Sequence, residues 1–165
     1  FETLWEIELR TLREVLAPVA GDFDPVPFAN IVKDYLERPI LAPYVHEALE
    51  GIKKPICIVS NADTADIWKA VEHCNLPIED VVTSEDARSY KPDAGIFEMA
   101  LKKMDVAPDR VLHAGDSLHS DIGGATRMGI SSCWVCYEDR IMDVGNEIPD
   151  HKVNDLRMLW EIVNG

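Results

Sequence analysis

Apolar residues near the start of the chain recur at helical spacing. Trp5, Leu9, Leu12 and Leu16 make one face, with Glu and Arg opposite, which predicts a helix over residues 1–16 that begins at Phe1 without a cap. Residues 21–27 read as a loop. Phe28, Ile31, Val32, Tyr35 and Leu36 restore the helical period before Pro39 and Pro43 interrupt the chain as a hinge or linker. Nothing so far has the character of a strand. After Pro43 the pattern changes. Val45, Ala48, Leu49 and Ile52 predict a short helix. The run Ile56-Cys-Ile-Val59 is of the kind that fills buried parallel strands. A helix is predicted over 64–73, with Ile67, Trp68 and Val71 inward. Another carries Ile96, Phe97, Ala100, Leu101 and Met104, with Pro92 near its first turn, where a missing N–H costs nothing. Further short strands fall at 81–83, 111–114 and 132–136. Ile122, Ala125 and Met128 mark a helix that Gly129 caps, and Leu156, Leu159, Trp160 and Val163 a last one. Strands alternating with helices imply an α/β fold, a parallel sheet with helices on both faces.

Composition narrows the picture. The 165 residues suit one core domain with a modest appendage, and 47% hydrophobic residues support a packed globule. A net charge of −14 with no basic block argues against nucleic acid and against an anionic membrane surface as partners. No apolar run approaches the length of a membrane span, and no secretory signal opens the chain. The four cysteines include Cys133 and Cys136 as a C-x-x-C, but they lie in an apolar run that reads as a buried strand, with no second half of a zinc site. Structural thiols in a reducing, cytoplasmic setting are the expectation.

The candidate chemistry gathers at three strand ends. Ser60-Asn61 follows the first strand, Lys91 precedes a helix, and Asp116 and Asp121 lie in the loop after residues 111–114. Ligands of open α/β sheets sit beyond the carboxyl ends of the strands. Two carboxylates there suit a hard cation, most simply Mg²⁺. They read equally well as a helix cap and a dipole partner. Gly115 before them reads as the site of a sharp turn that a β-carbon would resist. A hydroxyl, an amide, a lysine and a carboxylate pair together can bind a phosphoryl group and offset its charge.

Val59-Ser-Asn61, Ser89-Tyr-Lys-Pro92 and Gly115-Asp-Ser-Leu-His-Ser-Asp121 resemble the second, third and fourth motifs of the haloacid dehalogenase-like (HAD) hydrolases. The resemblance runs from about Tyr44 to Met158. It implies a Rossmann-like three-layer core over residues 43–165, with residues 1–42 as part of the helical cap that this family inserts between its first and second strands. It further implies that Ser60 hydrogen-bonds the transferring phosphoryl group and that Lys91 stabilises its charge. Asp116 would be a Mg²⁺ ligand. Asp121 would support the metal site and position Lys91. Asn61 and Ser117 would belong to the phosphate and metal surroundings. The substrate class would be a small phosphorylated metabolite.

The family's first motif, a strand ending in Asp-x-Asp that supplies the nucleophile, does not occur in these residues. Asp22-Phe-Asp24 has the letters but lies in a polar loop with no apolar strand before it. The expectation is therefore a Mg²⁺-dependent phosphatase working through an aspartyl-phosphate, seen without its nucleophile segment and inactive as this chain. A 2-haloacid dehalogenase and a non-catalytic binding domain are the alternatives. Mg²⁺ should bind weakly, and Asp116 and Asp121 should repel and raise at least one pKa. The strands 56–59 and 111–114 should face one slot. It would be filled by the upstream segment, filled by a strand from a second chain, or closed by direct pairing.

Overall fold

The computed structural model describes residues 1–137 and 147–165. Helix α1 (Leu4–Ala20) does not start uncapped. The Thr3 hydroxyl accepts from the Glu6 N–H, and the Glu6 carboxylate accepts from the Thr3 N–H, a reciprocal capping box. The helix also passes residue 16. Pro18 in its last turn removes one backbone bond rather than a whole turn, and Gly21, at φ +62°, ends it. The Asp63 carboxylate accepts from the N–H groups of Leu4 and Trp5 at 2.8 and 3.0 Å. A buried carboxylate from a distant loop thus satisfies and charge-balances the start of α1. Asp63→Ala should cost about 0.5–2 kcal/mol, the range for a lost helix cap. An unchanged urea midpoint would refute this role.

Helix α2 (Val26–Glu37) begins inside the expected loop. It lies against α4 (Thr64–His73) through ion pairs of Lys33 with Asp66 and of Lys69 with Glu37, the latter 2.6 Å. Helix α3 is Val45–Gly51.

Strand β1 (Cys57–Ser60) pairs in parallel with β2 (Asp80–Thr83), Val59 opposite Val82. Then follow α5 (Ser84–Ala87) and α6 (Ala94–Met104). Pro92 lies two residues ahead of α6, after a cis Lys91–Pro92 bond, and not in the helix's first turn. Strand β3 (Leu112–Gly115) pairs with β4 (Ser131–Val135), and β4 with β5 (His151–Val153), again in parallel. Between β3 and β4 the chain makes a π-type turn, Leu118–Ile122, and then α7 (Gly123–Arg127). Gly129 ends α7 at φ +67°, where Ile130 N–H reaches Ala125 O and Gly129 N–H reaches Thr126 O. A 3-10 turn, Leu156–Met158, and α8 (Leu159–Asn164) follow.

Alternation along the strands sorts the core into layers. Cys57, Val59 and Val82 pack with Ile96, Phe97 and Ala125 of α6 and α7. Ile56, Ile58 and Val81 pack with Leu49, Ile67 and Val71 of α3 and α4. Cys133, Val135 and Val153 face Leu159 and Ile162 of α8. The expected α/β fold of parallel strands between helices is present. It forms two sheets, β1-β2 and β3-β4-β5. Among the described residues β1 pairs only with β2, and β3 with β4, so the direct pairing of β1 with β3 does not occur. All four residues of β1 are only half-buried, and Ala114 of β3 is exposed. Among the described residues these two strands thus each keep one edge without a partner strand. No described helix is long and apolar enough to cross a membrane.

Candidate active site

Lys91 links the end of β1 to the turn that follows β3. The Asn61 side chain holds its backbone at both ends: the Lys91 N–H donates to Asn61 Oδ1 at 2.6 Å, and Asn61 Nδ2 donates to Lys91 O at 2.9 Å. The ammonium donates to the Val59 carbonyl, at the end of β1, and to Asp121 Oδ1, each at 2.7 Å. Two of its three protons are thereby used, and the third is directed by this pairing. Ser60 is the next residue after Val59, and its hydroxyl has no hydrogen-bond partner among the described residues.

Asp121 is the hub. Oδ1 also lies 3.1 Å from His113 Nε2, and Oδ2 accepts the Ser117 N–H at 3.0 Å. Burial by itself would raise the Asp121 carboxyl. The hydrogen bond from His113, the Lys91 charge and the Ser117 N–H outweigh it and hold the carboxyl well below the usual carboxylate range. The expected repulsion between carboxylates therefore does not set this group's ionisation, because its close neighbours are donors. An ionised carboxylate only accepts, so His113 carries a proton on Nε2. With three protein donors on its two oxygens, Asp121 acts on Lys91.

Gly115 matters for a reason different from the expected sharp turn. Its φ is not positive, but a β-carbon there would come 2.2 Å from Asp121 Cγ. The missing side chain is the space into which the carboxylate closes. Gly115→Ala should destabilise the fold by about 1–3 kcal/mol through overpacking and push Asp121 away from Lys91. A melting temperature equal to wild type would contradict this placement.

Asp116 is exposed at the rim, one residue past β3. Its carbonyl accepts the Trp134 Nε1–H at 3.0 Å. Among the described residues no three His, Cys, Asp or Glu side chains converge as a metal cage. Asp116 thus brings one carboxylate to this rim.

Sequence reasoning reached Ser60, Asn61, Lys91, Asp116 and Asp121, and the structure ties Asn61, Lys91 and Asp121 into one network beside Ser60. It missed His113, Trp134 and Asp63. His113 lies two residues before Gly115 on β3, the spacing that keeps alternate residues on one face. Trp134 is the ladder partner of Gly115, a pairing that only the fold creates. The cysteines are free, and burial pushes the Cys133 thiol up to about 11, against a redox role.

A family model described as haloacid dehalogenase-like hydrolase matches residues 2–129. The chain is similar to a glyceraldehyde 3-phosphate phosphatase of Methanothermobacter thermautotrophicus, 34% identical over 64% of this chain and 50% of that protein. It is also similar to an (S)-2-haloacid dehalogenase of Pseudomonas fluorescens, 26% identical over 70% of this chain and 54% of that protein. The chain thus spans about half the length of these two relatives. Among solved structures, a HAD-hydrolase of Bacillus subtilis bound to magnesium superposes with a TM-score of 0.82 at 22% identity, covering 99% of this chain and 74% of that one.

Proposed function

The chain belongs to the haloacid dehalogenase-like hydrolases, and within that family we propose that it serves a Mg²⁺-dependent phosphomonoester hydrolase acting on a small phosphorylated metabolite. The observation that carries this reading is the Lys91–Asp121 pair beside Ser60, with a second carboxylate, Asp116, on the adjoining rim. Ser60 and the remaining Lys91 proton donate to the phosphoryl oxygens. Asp121 and Val59 O hold the ammonium in place and aim it, so it faces the developing charge without reorganising. Asp116 would hold Mg²⁺, which when bound neutralises phosphoryl charge.

The attacking carboxylate comes, in this reading, from an apolar strand that pairs with the edges of β1 and β3 and ends beside Lys91. Residues 1–42 form part of a helical cap and residues 43–165 the core. Two observations support the strand: the edges of β1 and β3 that have no partner strand among the described residues, and the absence of an Asp-x-Asp strand from the sequence. The 165 residues alone should then show only weak Mg²⁺ binding and no turnover. The dehalogenase reading shares Ser60, Asn61 and Lys91 and leaves Asp116 without a task. p-Nitrophenyl phosphate hydrolysis and chloride release from 2-chloropropionate, measured side by side, separate the two. The samples are this chain alone and this chain joined to an apolar strand ending in Asp-x-Asp. Mg²⁺-dependent phosphatase activity in the joined protein supports the proposal. Chloride release independent of metal overturns it.

A further inference from the structure

The peptide unit between Asp116 and Ser117 is held from both sides. Its carbonyl accepts the Trp134 indole N–H at 3.0 Å, and its N–H donates to Asp121 Oδ2 at 3.0 Å. The two anchors have different origins. Asp121 belongs to the turn that follows, whereas Trp134 is on the neighbouring strand, in register with Gly115. Trp134 is itself fixed. It is 6% exposed and packed with Leu118 and Ile122, and the Lys152 ammonium lies 4.6 Å from the ring centroid. A peptide plane pinned at both its oxygen and its nitrogen has little freedom to rotate, and with Gly115 on the other side of Asp116 held in the β3–β4 ladder, the Asp116 Cα–Cβ direction is set from both flanks.

We propose that Trp134 is a positioning residue that orients the Asp116 carboxylate for a divalent cation through this backbone hydrogen bond. The inference rests on the reading of Asp116 as the cation-binding carboxylate. Outer hydrogen bonds of this kind act by pre-orienting a ligand, and their loss typically lowers metal affinity about 10–100-fold. Phenylalanine at 134 removes the donor while keeping an aromatic ring for Leu118, Ile122 and Lys152.

The test compares wild type with Trp134→Phe in two measurements, amide exchange on the 165-residue chain and Mn²⁺ affinity on this chain joined to an apolar strand ending in Asp-x-Asp, the protein in which the proposed site is complete. Amide hydrogen exchange is read at Ser117, with Val135 and Ala125 as internal references. Mn²⁺ affinity is read from paramagnetic broadening of resonances around Asp116, with Asp116→Asn as the control that removes the ligand. The expected result is faster exchange at Ser117 in the variant, with the references unchanged, and Mn²⁺ binding weaker by about 10-fold. Unchanged exchange at Ser117 overturns the proposal, and so does a rise shared equally by Val135 and Ala125, which would report lost packing. Unchanged Mn²⁺ affinity in the variant overturns it as well. If Mn²⁺ broadens nothing near Asp116 even in wild type, the cation-binding reading of Asp116 fails, and with it the cation role of Trp134. A selective exchange effect would then assign Trp134 to the loop backbone alone.

Discussion

Replacing Asp121 by asparagine should be the most damaging single change for the fold. The carboxylate is 7% exposed and the Lys91 side chain 12%, so the substitution leaves a largely buried ammonium without its counter-charge. It also sets an amide nitrogen against the Ser117 N–H or against His113, because asparagine has one acceptor where the carboxylate has two. Breaking a buried pair from one side costs about 3–5 kcal/mol, a large share of a domain stability of about 5–15 kcal/mol. The pH dependence adds a signature. Because the folded carboxyl titrates below its unfolded value of about 4, the native state binds fewer protons than the unfolded state between those two points. Its stabilisation is complete above about pH 4 and is lost as the pH falls below it. The difference in unfolding free energy between wild type and Asp121→Asn should therefore shrink as the pH falls below 4. A difference that grows with acid would mean that another group dominates.

The second large effect is on activity. In the protein joined to a nucleophile-bearing strand, Asp116→Ala should lower phosphatase turnover by about 10³-fold, the scale on which removing preorganised charge stabilisation acts. Added Mg²⁺ should not restore it. Lys91, Asn61 and Ser60 keep their places in the variant, because the hydrogen bonds that hold Lys91 and Asn61 involve no Asp116 atom. The dehalogenase reading expects the opposite: chloride release that Asp116→Ala leaves intact. Steady-state rates on both substrates decide between them. Equal phosphatase rates with and without the Asp116 carboxylate would remove it from the mechanism.

Much of this was legible in the chain because it depends on local pattern. The helix over 64–73 is recovered at its full length, because apolar spacing and a polar start are written within ten residues. The strands were found to within a residue or so wherever a compact apolar run announces them, as at Cys57–Ser60. Strand β5 was not. His151-Lys-Val153 is short and two-thirds polar, and it becomes a strand only by hydrogen-bonding to β4. The start of α1 departs from the sequence pattern for a related reason. Phe1 continues the apolar pattern, but the capping box begins at Thr3, and Phe1 turns away to stack on Tyr90.

The site divides in the same way. Residue types at strand ends named Ser60, Lys91, Asp116 and Asp121, since chemistry at the carboxyl edge of a parallel sheet follows from strand order. What each does depended on distance. Two carboxylates five residues apart suggest mutual repulsion, yet Asp121 is surrounded by Lys91, His113 and the Ser117 N–H and is held ionised. Gly115 suggests a turn, yet it is the space that Asp121 fills. Asn61 suggests a phosphate ligand, yet both its polar atoms are engaged on the Lys91 backbone. Sequence determined which functional groups arrive at the rim. The tertiary structure decided which of them face a ligand and which hold their neighbours in place, because the strength and sign of these interactions change over a few ångströms of separation that no one-dimensional spacing encodes.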